Sequence, residues 1–154
     1  MRHLLLLPFL VLLPVWPAGA QMLTGEQIGE AFGGNTVSGR YTGGGFFTEY
    51  HDPDGRALGH NGWFANTDAC WITRANSVCY YYGPPEKRTT HCFTVERKDK
   101  LYILRNAGDG RINAVASVEL ANPRNHTDQG KPWYCDGLIS RAPGKAMSRK
   151  VAAR

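Results

Sequence analysis

Long apolar runs are scarce in this 154-residue chain. The one that opens it, Leu4 to Val15, is broken by Pro8 and Pro14 and falls short of the roughly 20 apolar residues a membrane span needs. No Cys follows the small residues Ala18-Gly19-Ala20, which argues against a lipoprotein anchor. There is no Cys-x-x-Cys for a thioredoxin-like redox site and no Cys-x-x-Cys-His for covalent haem. There is no Gly-x-Ser-x-Gly elbow for a serine esterase. Gly43 to Gly45 are not followed by Lys-Ser/Thr or by a helical pattern, so they do not form a phosphate cradle. Asp52-Pro53-Asp54-Gly55 begins like a calcium loop, but Arg56, Ala57 and Trp63 stand where such a loop needs a further ligand, Gly and Glu. His51, His60, His91 and His126 lack zinc-site spacings. His51 and His60 are expected as a surface pair across the Asp54-Gly55 turn. His91 and Cys92 are adjacent on a strand, so they point to opposite faces and cannot share a proton. The expectation is a protein without a catalytic motif, a metal site or a cofactor.

What is present at the N-terminus is the pattern of an export signal. Arg2 and His3 precede the short apolar run, and Ala18-Gly19-Ala20 offers small residues for cleavage before Gln21. The expected division is a signal peptide over 1–20, one domain over 21–140 and a tail over 141–154. The mature chain is expected to be soluble and periplasmic or secreted. Its charge is unevenly placed. The net charge is +5, yet the tail holds Arg141, Lys145, Arg149, Lys150 and Arg154 and no acid. The body carries all 13 acidic residues and nearly as many basic ones. A nucleic-acid partner is therefore not expected. The tail reads as a solvated, disordered end able to contact anionic polymers.

Four cysteines in an exported chain argue for two disulfides. Cys79 and Cys92 flank Gly83-Pro84-Pro85 and can sit opposite each other on neighbouring strands, at disulfide distance. Cys70 then pairs with Cys135, tying Trp133-Tyr134-Cys135 back to the sheet.

Thr24-Gly25-Glu26-Gln27 has capping-box spacing, and Ile28, Ala31 and Phe32 share a helical face before Gly33-Gly34 stops it. This short helix is expected to plug one end of the β structure that the rest of the domain forms. From Asn35 the pattern alternates. Candidate strands are Thr36 to Tyr41, Phe46 to His51, Arg56 to Asn61, Cys70 to Thr73, Ser77 to Tyr82, Thr90 to Glu96, Lys100 to Arg105 and Ile112 to Leu120. Asp52-Pro53-Asp54-Gly55 and Lys98-Asp99 mark hairpin turns. The fold class is mainly β: a small antiparallel up-and-down barrel, or a strongly curved sheet, of seven or eight strands with a short N-terminal helix. Such a sheet closes or curls to hide its edges.

Aromatic residues are the most suggestive feature. Tyr80 and Tyr82 share one face of a strand, and Tyr81 joins Cys79 on the other. Trp63 follows a Gly at a strand start, where a large ring can sit at a barrel rim, and Arg74 lies in a nearby turn. The candidate binding residues are Trp63, Arg74, Tyr80 and Tyr82, acting as an aromatic face with one hydrogen-bonding fork. The alternative is that these rings supply buried area to a small core.

From Leu23 to about Tyr102 the chain resembles a family of small secreted proteobacterial proteins of unknown function. The resemblance rests on Leu23-Thr24-Gly25, Gly34-Asn35-Thr36-Val37-x-Gly39, Tyr50 with Asp54-Gly55 and Gly59, Gly62-Trp63, and the pair Cys79 and Cys92. It implies a periplasmic, lipocalin-like small β fold and no particular activity. The leading functional expectation is a non-enzymatic binding module for an envelope polysaccharide, a small apolar ligand or a protein. Its rivals are an inhibitor of a lytic envelope enzyme and an enzyme with an unrecognised site. A closed barrel interior would favour ligand binding; a pocket with strongly perturbed carboxylates or histidines would favour catalysis.

Overall fold

A computed structural model of the chain describes residues 19–62, 64–83, 87, 89–131 and 135. Residues 1–18 of the expected signal peptide, Trp63, Trp133 and the expected tail from residue 141 lie outside the described residues.

Strand β1 (Gln21–Met22) leads into helix α1 (Gly25–Phe32). The capping box forms. Gln27 N donates to Thr24 Oγ1 at 3.2 Å, and Thr24 N donates to Gln27 Oε1 at 2.9 Å. Two amides that a helix start leaves free are thus satisfied. Ile28 and Phe32, one turn apart, are both fully buried.

Eight further strands complete the domain: β2 (Thr36–Tyr41), β3 (Phe46–His51), β4 (Arg56–His60), β5 (Ala65–Arg74), β6 (Ser77–Tyr82), β7 (Thr89–Lys98), β8 (Leu101–Asn106) and β9 (Ile112–Glu119). Each runs antiparallel to its sequence neighbour. β9 returns to β2, with Thr36 opposite Glu119 and Tyr41 opposite Ala114, which closes an up-and-down barrel. Closure removes the free edges that an open sheet would expose. β1 adds to β7 beyond the end of β6, with Met22 opposite Glu96.

Several strand ends shift by a residue or two from the sequence expectation, and two of the differences have a clear local cause. β5 begins at Ala65, because a register shift lets Ala57 face Ala69 while Gly59 faces Asn66. This bulge and the polar Asn66-Thr67-Asp68 hide the alternation in the sequence. The β7–β8 hairpin turns one residue later than expected, at Asp99-Lys100, with Asp99 at φ 56°.

Both disulfides form as expected. Cys79 and Cys92 are directly opposite on β6 and β7 with Cα atoms 4.0 Å apart, and Cys70 joins Cys135 with Cα atoms 5.7 Å apart. After β9 the chain crosses the outside of the barrel. Thr36 Oγ1 donates to Ala121 O, and Arg56 meets Asp128 at 2.6 Å. Cys135 then pins the segment to β5.

Inside, the wall combines large residues with small ones, and Trp71 of β5 is also part of the core. β3, β6 and β7 contribute Phe47, Tyr80, Phe93 and Val95, while β4, β5 and β9 contribute Ala57, Ala69, Ala114 and Ala116. Gly39 and Gly59 take this to its limit. A Cβ on Gly39 would strike the backbone of Val115 and Ala116, and one on Gly59 would strike the Thr48 carbonyl. The strands can approach there only because no side chain intervenes.

Candidate functional site

The helix fills one end of the barrel only. Gly25 N donates to Ala75 O at 2.6 Å, and Gly34 N donates to His51 O at 2.8 Å, which fixes the helix over the β3–β4 and β5–β6 turns. Phe32 reaches inward and packs edge-on to Tyr102 and against His51. The opposite end carries the β2–β3, β4–β5, β6–β7 and β8–β9 connections. From that side a cavity of about 400 Å³ enters the barrel. Its walls include Tyr41, Phe47, Tyr80, Tyr82, Phe93, Leu104 and Ala114. Glu49, Asn66, His91 and Asn113 are among its polar lining residues.

The arrangement around Glu49 follows from strand geometry. Side chains alternate on a strand, so Phe47, Glu49 and His51 of β3 all point inward. Glu49 is 5% exposed and His51 is 0% exposed. The two are tied into one chain of hydrogen bonds. His51 Nδ1 lies 3.1 Å from Glu49 O, a carbonyl that can only accept, so Nδ1 carries the hydrogen. Nε2 is then an acceptor, and the Tyr80 hydroxyl donates to it at 2.7 Å. Glu49 Oε1 accepts from Asn66 Nδ2 at 3.0 Å and from the Tyr82 hydroxyl at 3.5 Å. No donor from the described residues is hydrogen-bonded to Glu49 Oε2, which lies 3.9 Å from His51 Nε2.

Burial sets the charge states. Desolvation pushes the Glu49 carboxyl up to about 7, against the opposing hydrogen bonds from Asn66 and Tyr82. Desolvation pulls His51 down to about 3, so this ring is neutral around pH 7. The close approach of Glu49 to His51 is therefore not an ion pair under those conditions. Tyr41 is raised to about 12 by burial and by Glu49, and burial raises Tyr80 and Tyr82 well above 10. The interior thus holds one carboxyl that titrates near neutrality, surrounded by groups that do not ionise there.

The residues singled out from the sequence are dispersed. Tyr80 and Tyr82 share a face as expected, but that face is the barrel interior, not an outer ledge, because it carries the apolar alternation of Val78, Tyr80 and Tyr82. Arg74, the last residue of β5 and paired with Ser77, is exposed beneath the helix at the far end of β6 from Tyr82, and does not line the cavity. Trp63 lies outside the described residues. The expected His51–His60 surface pair does not form: His51 faces Ala57 across the hairpin and is buried, while Thr48 faces His60. His60 instead packs edge-on to Phe46 and His126 outside the cavity. Sequence reasoning misses Glu49, His51 and Asn66, since polar residues in a short strand normally mark its solvent face. One signal was available: placing Phe47 inward obliges Glu49 and His51 to share its face.

Comparison with protein families, curated proteins and solved structures finds no match. The chemistry of the cavity therefore has to be argued from its own residues.

Proposed function

We propose that this protein is an exported, lipocalin-like carrier that binds one small ligand inside its barrel. The cavity carries the proposal. It is open at one end, closed at the other by α1, and lined by five aromatic rings, Leu104 and Ala114 together with six polar residues, among them the buried Glu49 and Asn66. Its size, about 400 Å³, lies in the range of small-molecule sites. Two disulfides on the outer wall fit an oxidising compartment, in keeping with the leader-like N-terminus. Within this reading Tyr80 and Tyr82 keep their binding role from inside the wall, and Arg74 has none.

The test is titration with a neutral apolar fluorophore such as prodan, in the protein and in Ala114→Phe. Ala114 is fully buried and lines the cavity, so a phenyl ring there occupies ligand space. Saturable binding that is lost in Ala114→Phe while circular dichroism is unchanged supports the reading. Prodan binding that is indifferent to the substitution overturns it, as does a failure to bind by prodan and by charged and uncharged phenyl-bodied compounds alike.

One observation favours a second reading. A buried carboxyl near 7 beside a cavity also meets the requirement for a general base. In that case a bound carbon acid would exchange its C–H for deuterium in heavy water, and Glu49→Gln would abolish the exchange. A bound ligand unchanged by prolonged incubation leaves the carrier reading.

A further inference from the structure

We propose that the ligand is a small organic ammonium, an N–H-bearing amine cation on an apolar body, with its head seated on Glu49 Oε2 and its body among the cavity rings. The inference rests on the carrier reading and names the ligand class for the same cavity.

Three observations carry it. The first is the balance of donors and acceptors on the cavity floor. Both donors near the carboxyl, Asn66 Nδ2 and the Tyr82 hydroxyl, converge on Oε1, and Oε2 accepts from no described residue. The Tyr80 hydroxyl spends its hydrogen on His51 Nε2, so toward the cavity its oxygen offers lone pairs. What is unfilled is acceptor capacity, and a group rich in N–H donors completes it. The second is the sign of the charge. The described lining contains no Lys and no Arg. An anionic ligand would bring a charge into a low-dielectric space without a partner, beside a carboxyl. The third is the wall. Tyr41, Phe47, Tyr80, Tyr82 and Phe93 present ring surface, whose negative faces attract a desolvated cation.

Ligand binding is then coupled to a proton. The groups facing Glu49 are Tyr41 from β2, His51 from β3, Asn66 from β5, and Tyr80 and Tyr82 from β6. None of these titrates near neutrality. His91 of β7 also lines the cavity, toward the mouth, with its ring tilted against that of Tyr82 at 5.9 Å between centroids. An ammonium requires Glu49 as the anion. Well below pH 7, close to one proton leaves Glu49 for solvent on each binding event, and the ammonium keeps its own.

The experiment is calorimetric titration with phenethylammonium, phenethyl alcohol and hydrocinnamate, which share one carbon body and differ in head charge. Phenethylammonium is expected to bind at least about tenfold more tightly than the alcohol, and hydrocinnamate weakest of the three. Its affinity is expected to rise about tenfold from about pH 6 to about pH 8, following ionisation of a group near 7. At the lower pH, runs in buffers of different ionisation enthalpy should report release of close to one proton. Glu49→Gln preserves the bonds to Asn66 and Tyr82, so it should fold, and it should erase both the ammonium preference and the pH dependence. Equal binding of alcohol and ammonium, or tighter hydrocinnamate binding, overturns the ammonium assignment while leaving the carrier intact. A pH dependence that persists in Glu49→Gln comes from a group other than Glu49 and also overturns it. If neither prodan nor any of the three compounds binds, the carrier reading and this inference fall together.

Discussion

Replacing Glu49 by Gln should change how stability depends on pH more than how stable the protein is at any one pH. The sign follows from proton counts in the two states. Glu49 has an ordinary value of 4.5, which burial raises to about 7 in the folded barrel. Between those values the native state holds a proton that the unfolded chain has lost, so stability falls as pH rises. The full difference corresponds to about 3 kcal/mol, at about 1.4 kcal/mol for each unit. His51 acts in the opposite direction. Its ordinary value of 6.5 falls to about 3 on folding, so the unfolded chain takes up a proton that the native state refuses. Stability from His51 is complete above 6.5 and is lost as pH falls toward 3. Between 4.5 and 6.5 the two slopes oppose one another and nearly cancel. Glu49→Gln removes one slope and exposes the other. Urea unfolding of both proteins between about pH 4.5 and pH 8 should show the variant gaining about 3 kcal/mol on the wild type across that interval. Using the difference removes every group common to the two chains. A difference that stays flat with pH would mean that folding leaves the Glu49 carboxyl unshifted, and one that runs the other way would mean that it is held as the anion beside a charged His51; either result refutes the charge states derived for the cavity.

Tyr80→Phe should leave His51 Nε2 without its donor and cost about 1–3 kcal/mol by chemical denaturation; an unchanged midpoint would show that the bond contributes nothing. Removing the Cys70–Cys135 bond by double Ala substitution should cost roughly 4 kcal/mol, against about 3 kcal/mol for Cys79–Cys92, because the enclosed sequence separations are 65 and 13 residues. The reverse order in unfolding midpoints would show that local packing outweighs loop closure. Gly59→Ala should destabilise by about 3 kcal/mol or more through collision with the Thr48 carbonyl, whereas Gly108→Ala, with open space around it, should change the melting temperature little. Thr24→Ala should cost about 1 kcal/mol through loss of the capping box, and a neutral result would show that the contacts of Ile28 and Phe32 alone hold the helix.

Much of the fold was legible in the sequence because it is written in local chemistry. The capping box at Thr24 and Gln27 needs only four consecutive residues. Turn residues at Asp52 to Gly55 and alternation within each strand set the order of the hairpins, since an up-and-down barrel joins neighbours in sequence. The disulfides were legible for the same reason: Cys79 and Cys92 lie symmetrically about one turn, and the remaining two cysteines pair by elimination. Where a bulge interrupts the alternation, as in β5, the sequence reading lost the strand start.

The cavity was not legible in this way. Alternation tells which residues share a face but not which face is inside, and for β3 the two choices pair Phe46, Thr48 and Tyr50 against Phe47, Glu49 and His51. Only closure of β9 onto β2, with Ala114 and Ala116 opposite the aromatic wall, decides that the second set is enclosed. The same closure turns Tyr80 and Tyr82 from an outer ledge into a lining and leaves Arg74 at the sealed end. The sequence by itself determined the helix, the eight barrel strands, their order and the Cys79–Cys92 pair, because each depends on contacts between near neighbours, and it left Cys70 and Cys135, 65 residues apart, to pair by elimination. The tertiary structure alone decided that one carboxyl and one imidazole would lose their water together, because desolvation depends on every strand of the barrel at once.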